Sequence, residues 1–433
     1  MRVSLRGVRR LAPLSPKALH GALLGAVLAA NILTGVALAA TDRASMMRLT
    51  ADHWIASQSP DGTLPYGFDL LADTSTAPKG DEWANVVRQV LSTYAWAQYY
   101  GHSGDRRARE PIQRALSAIG RRSLPIGKSR VQHWIEQTRI LSLPAGRWRL
   151  QRALDRLGLL YEPAGSGRVV SPNGKYGTAV TGATAVALLA ELAYSRASGD
   201  HQFASLRSGW LDGLISLRIP GGGLRQTPES IDQDDHYSNG EAWLAMAAYC
   251  EHHRGDDRCG MLEDLDDAMI VRYSARPAPE FYHWGSMAAA QRFKTTGHTR
   301  FLAFMQQQGN FFFNRFQPPQ VAAANRCASM EGVGAALAVL GQAGAEYAVL
   351  AGRMRSWLSN EADKLPRLQI QEGQTRLLLS GDASLTAPRL AAFTGDFLLG
   401  LYTPSVQVDA TAHCMGAMVT IERDALLTRS SAP

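Results

Sequence analysis

Two kinds of apolar pattern alternate along most of this chain. Segments rich in Ala, Gly, Leu and Val, with few charges, are each followed across a glycine turn by a segment that mixes Arg, Asp, Glu and Gln with an apolar stripe. Ala84–Tyr100 breaks at Gly101-His102-Ser103-Gly104-Asp105, and a second helical pattern runs to about Ile119. Gly182–Arg196 breaks at Ser198-Gly199-Asp200 before Gln202–Leu217, and Gly240–His252 breaks at Arg254-Gly255-Asp256 before Met261–Tyr273. Gly285–Thr295 breaks at Thr296-Gly297-His298 before Arg300–Phe313, and Gly332–Leu340 breaks at Gly341–Gly344 before Tyr347–Leu358. Glycine just past a helix is the expected stop, because it enters the left-handed conformation without steric cost.

The pattern therefore predicts five helical hairpins, recurring at about 40–60 residues once a long first insertion is passed. An apolar helix with few charges is buried nearly all round, and its striped partner lies outside it. Two helical patterns remain, Ala44–Ser57 and Asp409–Leu427. If they meet, they close a sixth hairpin, and the fold is an all-α (α/α)6 toroid with inner helices around an axis. An open helical solenoid is the alternative. The insertion, about Arg121–Lys175, is rich in Arg, Pro and Gly and holds one or two helices (Gln132–Leu141, Trp148–Leu159). Its Arg121, Arg122, Lys128 and Arg130 read first as a solvated basic face and second as an anion site. Leu365–Ser380 is the one alternating, strand-like stretch and suggests a small hairpin.

The most polar junction is Ile231–Met246, where Asp232, Asp234, Asp235, His236, Tyr237, Asn239 and Glu241 run into an apolar helix. Ser238 or Asn239 is the expected N-cap, with Glu241 in the first turn near the positive helix end. An acidic cap on an ordinary helix would look the same. The difference is that the construction recurs. In a toroid every connection from an outer helix to the next inner one opens at the same mouth. This chain places there Asp61, Tyr66, Phe68, Asp69, Glu82, Trp83, Asn85 and Arg88, then Asn173, Tyr176, Thr178 and Thr181, then the acidic stretch. Tyr282, His283 and Trp284 follow, then Asn325, Arg326, Cys327, Ser329 and Glu331, and finally Asp409 and His413. The turns at the opposite end read as plain.

Aromatic rings beside carboxylates suit sugars, because rings stack on C–H faces and paired acids perform general acid–base chemistry. Asp235, Glu241, Glu331 and Asp409 are the candidate catalytic acids, with His283 as a candidate proton carrier. The substrate-binding candidates are Tyr66, Trp83, Asn85, Arg88, His236, Tyr237, Asn239, Tyr282, Trp284, Arg326 and His413. His236, Tyr237 and His283 would instead support proton abstraction from a uronic acid, with Arg88 or Arg326 neutralising its carboxylate.

Composition narrows this only at the ends. The formal charge is +7, but Arg2, Arg6, Arg9, Arg10 and Lys17 precede residue 40 with no acid among them, and without that segment the charge falls to +2. Basicity therefore does not point to nucleic acid, and no nucleic-acid motif is present. The basic start, the apolar Ala18–Ala39 and the small-x-small Ala37-Leu38-Ala39 read as a cleaved export signal, with an uncleaved membrane anchor as the alternative. Residues 40–433 then form one domain in the periplasm or outside the cell, touching membrane only if residues 18–39 stay attached. Outside the cytoplasm Cys250, Cys259, Cys327 and Cys414 are free to form disulfides, and Cys250 and Cys259 flank one glycine turn.

The strings NVVRQ (Asn85–Gln89), YSNGEAWLAMA (Tyr237–Ala247), FYHWGSMAAAQ (Phe281–Gln291), SMEGVGAA (Ser329–Ala336) and VDATAHCMGA (Val408–Ala417) resemble a bacterial group of α/α-toroid proteins. That group is similar in architecture to six-hairpin glycosidases such as glucoamylase-like enzymes, and the resemblance spans about Leu49–Ile421. It implies the toroid and, by analogy, a glycan substrate. The group's aromatic-Pro-Gly-Glu-Ala pattern stands here as Tyr237-Ser238-Asn239-Gly240-Glu241-Ala242, without the proline.

Other toroid chemistries fit less well. Asp232-Gln233-Asp234-Asp235 matches the DxDD acid of class II terpene cyclases, but the Thr-Ala that follows there is absent. Cys327, His413 and Cys414 imitate the zinc ligands of lanthionine-cyclase-like proteins without the adjacent Trp-Cys-x-Gly, and a Cys327–Cys414 disulfide suits an exported chain better. The three aspartates lack the glycine and distal Glu of a calcium loop. The expectation is an exported protein acting on a cell-envelope or extracellular polysaccharide, with no cofactor and no metal. Glycoside hydrolysis comes first and uronate lysis or epimerisation second. A non-catalytic glycan-binding or polysaccharide-assembly protein is the alternative. Sequencing the N-terminus of the exported protein should read from Ala40; an intact chain recovered in the cytosol would refute export.

Overall fold

The computed structural model describes residues 42–138, 144–162, 167–230, 234–316, 324–378 and 384–427. The export segment 1–39, Ile231–Gln233 with Asp232, and the end of the strand-like stretch lie outside the described residues. From Arg43 onward the chain clusters as one unit. Its helices are α1 (Arg43–Ser57), α2 (Val86–Ser103), α3 (Arg109–Arg121), α4 (Arg130–Thr138), α5 (Pro144–Arg156), α6 (Thr181–Ser198) and α7 (Ala204–Ser216). They continue as α8 (His236–His252), α9 (Leu262–Ala275), α10 (Pro279–Thr296), α11 (Arg300–Phe311), α12 (Cys327–Leu340) and α13 (Ala348–Ala362), after a single turn at Leu365–Leu368, to α14 (Val408–Arg423).

Helices α2, α6, α8, α10, α12 and α14 each pack on the next, and α14 packs back on α2. The ring is closed, which excludes the open solenoid. Outer helices α3, α7, α9, α11 and α13 follow their inner partners, and α1 pairs with α14 as the sixth hairpin. The inner helices are buried for the reason their composition suggests: 14 of the 18 residues of α6 are inaccessible, so it has no face left for water. Gly104 and Gly199 end α2 and α6 with φ of 69° and 68°, the left-handed stop that only glycine takes without strain. The turns at this end are less plain than their sequence. Tyr99, Tyr194 and Tyr249 each donate a phenol hydrogen bond to the aspartate after the turn glycine (Asp105, Asp200, Asp256), at 3.1, 2.8 and 2.7 Å.

Three inner helices begin earlier than the glycines suggest. α8 starts at His236 and not near Gly240, α10 at Pro279 and not Gly285, and α12 at Cys327 and not Gly332. Pro279 at the first helical position pre-sets the backbone angle, and Glu280 beside it favours the positive helix end. The glycines are interior positions at helix crossings: a Cβ on Gly240 would stand 2.6 Å from Trp284 Cβ, and one on Gly332 2.6 Å from His283 Cα.

Strands appear where pairing closes the chain. β1 (Gly67–Asp69), β2 (Thr74–Ser75), β7 (Leu398–Gly400) and β8 (Thr403–Gln407) form an antiparallel sheet in the order β2-β1-β8-β7. β8 runs directly into α14, and Val408 N donates to Tyr66 O at 3.2 Å, so this sheet sets the closing helix against the start of the ring. The insertion adds β3 (Ser123–Pro125) paired with β4 (Arg168–Val170). The strand-like stretch Leu365–Ser380 is not a hairpin of its own: it opens with the helical turn Leu365–Leu368, and only Leu377–Leu378 (β5) is strand, paired with Ser384–Leu385 (β6) beyond it. The insertion's basic residues are partly used internally: Arg121 and Arg122 donate to the carbonyls of Asp61 and Pro172, and Lys128 to that of Arg218.

Both cysteine pairs are disulfides, Cys250–Cys259 across the α8–α9 turn and Cys327–Cys414 between α12 and α14. The zinc-cyclase imitation by Cys327, His413 and Cys414 is thereby removed, because both sulfurs are already bonded. The second pair spans 87 residues and the first nine. Chain-entropy arguments then give about 4–5 kcal/mol for the long closure and about 2–3 kcal/mol for the short one. Non-reducing peptide mapping should recover both pairs, and C327A/C414A should lower unfolding stability more than C250A/C259A.

Candidate active site

All six inner helices begin at one end of the ring, and their first turns surround a cavity of about 640 Å³. It is lined from α2 and its approach by Asn85, Val87, Arg88 and Leu91, and from α8 by Asp235, Tyr237, Ser238 and Glu241. Tyr282, His283 and Trp284 of α10, Arg326, Ala328 and Ser329 of α12, and Asp409 and His413 of α14 complete most of the wall. Gln226, Pro279, Phe312 and Phe316 also line it and were not among the sequence candidates. Phe312 and Phe316 belong to a π-helical turn after the outer helix α11, and Phe312 stacks on Tyr282 with ring centroids 4.5 Å apart. An apolar residue at the end of an outer helix reads as core, and only the tertiary path brings it to the mouth.

Other candidates lie elsewhere. Glu331 stands behind the lining and hydrogen-bonds His413. Tyr66 lies against Arg88, whose guanidinium is 4.6 Å from its ring centre. Trp83 is stacked under Arg122 at 4.2 Å. His236 Nδ1 meets Tyr273 Oη at 3.1 Å, and Asn239 bonds Leu224 N, Asp234 and Tyr273. These four brace the wall and do not face the cavity. Their signal in the sequence was position alone, which does not fix the direction of a side chain.

The α8 terminus differs from expectation. Asp235 is the N-cap, accepting from Ser238 N at 2.9 Å, so Ser238 and Asn239 lie in the first turn and Glu241 in the second. Side-chain competition explains this: a carboxylate three residues before a free N–H is as good a cap as a hydroxyl, and here Asn239 is already occupied by backbone and Asp234. Glu241 is consequently buried, at 4% exposure. Its carboxylate lies where a Cβ on Gly182 of α6 would be, at 1.9 Å. Glu331 is placed the same way against Gly416 of α14, at 2.0 Å. Glu241 and Glu331 thus each depend on a glycine of a neighbouring inner helix.

Burial, with the Asp235 charge beside it, pushes the Glu241 carboxyl up to about 8, against a weaker pull from His413. Glu241 is therefore a neutral acid at pH 7. His413 Nδ1 and Glu331 Oε2 are 2.6 Å apart. Burial pushes the His413 imidazole down, but the charge and hydrogen bond of Glu331, with Asp409 and Glu241 beyond, hold it above its ordinary value. His283 is driven well below its ordinary value by burial and by His413, so it is neutral. Arg88 Nε lies 3.1 Å from Asp409 Oδ2. Arg326 makes no ion pair among the described residues. The cavity thus combines a buried carboxyl of raised proton affinity, two aspartates, an imidazole held well below its ordinary value, an arginine and several aromatic side chains.

No protein-family model and no curated protein sequence matches the chain. Solved structures do. The alpha-1,6-mannanase GH76A of Salegentibacter sp. HEL1_6, as an inactive variant in complex with alpha-1,6-mannotriose, is similar with a TM-score of 0.57 at 10% identity over 89% of this chain and 100% of that one. A protein from Listeria innocua is similar at 0.54, with 7% identity over 89% and 99% of the two chains. An unsaturated glucuronyl hydrolase specific for heparin gives 0.50, with 10% identity over 88% and 98%. At such identities the likeness is one of fold: the chain is a six-hairpin α/α toroid, as the sequence strings imply.

The burial of Glu241 makes a stability prediction whose sign is fixed. Below the unfolded pKa of about 4.3 both states carry the proton. As pH rises toward 8 the unfolded chain releases it and the folded chain keeps it, so the unfolded state gains and stability falls. Denaturant unfolding at pH 5 and 8.5 should show wild type losing roughly 2–5 kcal/mol relative to Glu241→Gln between the two. A constant difference would mean that Glu241 is ionised in the folded protein.

Proposed function

We propose that this protein is an exported carbohydrate-active enzyme of glycoside hydrolase type. It works on a cell-envelope or extracellular polysaccharide from the periplasm, the medium, or an inner-membrane anchor formed by residues 18–39. One observation carries the reading: Glu241 is a buried carboxyl in the wall of a cavity lined by aromatic rings, with Asp235 alongside, and that burial and neighbouring charge raise its proton affinity. A glycosidic oxygen leaves only if it is protonated as the bond breaks, and an acid with a pKa near 8 retains that proton at working pH. Tyr237 and Phe316 offer accessible aromatic surface for the sugar rings over a wall that includes Tyr282, Trp284 and Phe312, and Asp235 or Asp409 serves as the carboxylate that activates water or steadies the oxocarbenium-like centre.

The fold neighbour with bound mannotriose supports a glycan in such a cavity. That inactive mannanase variant has asparagine in place of two consecutive aspartates. Of the three consecutive aspartate pairs here, Asp234-Asp235, Asp256-Asp257 and Asp266-Asp267, only the first has a member in the cavity wall. Asp235 lines the cavity, while Asp234 is tied to Arg272 at 2.5 Å and to Asn239 at 3.0 Å. A second reading, uronate lysis or epimerisation, is favoured by Arg326, a cation in the cavity wall with no ion pair among the described residues, which suits a sugar carboxylate.

The test is a polysaccharide-degradation screen with the secreted domain, followed by variants on the glycan it reveals. Glu241→Gln should leave glycan binding intact and lower turnover by at least about 10²-fold. Asp235→Asn should do likewise, and the double variant should be little worse than either, since groups acting as one unit are not additive. The wild-type rate should fall above pH 8 as Glu241 loses its proton. Unsaturated products would select the lyase reading. Unchanged turnover in both variants would move the chemistry to Glu331, Asp409 or His283, and a chain that binds glycan without turning it over would be a binding or assembly protein.

A further inference from the structure

Three inner helices bring one side chain each to a common point beside the cavity. His283 of α10, Glu331 of α12 and His413 of α14 each offer a ligand atom, and these atoms lie within 4.8 Å of one another. His283 and Glu331 are only 7% and 3% exposed. His283 Nε2 is buried and has no hydrogen-bond partner among the described residues. Such an atom costs free energy unless something completes it, and a native fold seldom leaves one so.

We propose that His283, Glu331 and His413 bind a divalent transition-metal ion, with zinc the best match to the ligands. Two imidazoles and one carboxylate are a recurrent catalytic zinc set, in which a fourth position is left to water or substrate. The same donors also accept iron(II) or manganese(II), whereas calcium and magnesium prefer oxygen alone. His283 and His413 both line the cavity, so the fourth position opens to it. A tetrahedral ion with bonds of about 2.0–2.2 Å holds its ligand atoms roughly 3.3–3.6 Å apart. Small side-chain rotations close the remaining gap. The hydrogen bond between His413 and Glu331 is exchanged for two metal bonds, and its proton leaves to solvent.

The surroundings restrain these residues as metal ligands are restrained. The Cys327–Cys414 disulfide joins α12 and α14 with Cα atoms 4.7 Å apart, one residue from His413 and one helical turn before Glu331. Gly416 leaves room for the second oxygen of Glu331, and Gln98 Oε1, itself buried without a partner, lies 3.4 Å from the same position. This site does not depend on the role given to Glu241, and an ion could serve a hydrolase, a lyase or structure alone.

The full chain, stripped with a chelator and desalted, is titrated with zinc chloride by calorimetry and with cobalt(II) by visible absorption. The expected result is one ion per chain with Kd of about 1 μM or tighter, a low-coordinate cobalt spectrum that zinc abolishes, and a melting temperature that rises with zinc. His283→Gln and Glu331→Gln should each weaken zinc at least about 100-fold, and His102→Gln, on the exposed far turn, should change nothing. No saturable heat and no cobalt spectrum for wild type at about 100 μM ion would overturn the site, as would wild-type affinity in both His283→Gln and Glu331→Gln. Should the variants fail to fold, the wild-type stoichiometry and cobalt spectrum decide. Because the readout is binding, its failure leaves the acid–base reading of Glu241 standing, and failure of that reading leaves this one.

Discussion

Close approach of the inner helices is the constraint on which the rest of this structure depends. Six helices share one axis only if their walls are thin, and thin walls require Ala and Gly at the crossings. Gly182 and Gly416 show the consequence most directly, because a single added carbon on either would occupy the carboxylate of Glu241 or Glu331. The glycines therefore do more than permit packing. They make the spaces in which two glutamates can be held inside the ring, and burial then gives those glutamates their unusual proton affinity.

Such burial is tolerable because charge inside the barrel is matched at defined places. Asp266 of α9 is wholly inaccessible, yet it accepts from Trp243 Nε1 of α8 at 2.7 Å and from Arg292 of α10 at 2.6 Å. Glu191 of α6 is held by Arg207 of α7 at 3.1 Å. These links tie outer helices to inner ones away from the cavity. At the cavity the matching is incomplete: Glu241 keeps its proton, His283 stays neutral with an open nitrogen, and Arg326 has no counter-charge among the described residues. Several titratable groups whose charge or hydrogen-bonding capacity is left open, gathered in one concave place, concentrate the chemistry there.

The covalent and hydrogen-bonded closures serve the same place. The sheet β2-β1-β8-β7 sets the start of α14, and the Cys327–Cys414 disulfide fixes α14 to α12 close to His413 and Glu331. The 2.6 Å contact between those two residues is thus the product of elements far apart in sequence, held by a link that needs an oxidising compartment.

The packing of α14 on α2 closed the ring; the sequence by itself determined the helical hairpins, their inner and outer character, and the end of each where polar residues gather. All of these follow from periodicity, glycine stops and composition, which act over neighbouring residues. It also marked most of the lining, including Asp235, Glu241, His283, Arg326, Asp409 and His413, because first turns of inner helices must meet at one mouth. Only the tertiary structure decided which way each side chain turns. Tyr66, Trp83, His236 and Asn239 sit at the expected end and point into the wall, Phe312 and Phe316 arrive from an outer helix, and Asp235 rather than Ser238 or Asn239 caps α8. It alone decided, too, that His283, Glu331 and His413 meet, since 130 residues of chain between the first and last leave their separation open until the ring closes. Local pattern sets which element a residue belongs to, whereas the direction of its side chain and the proton it carries are set by neighbours that are near only in space.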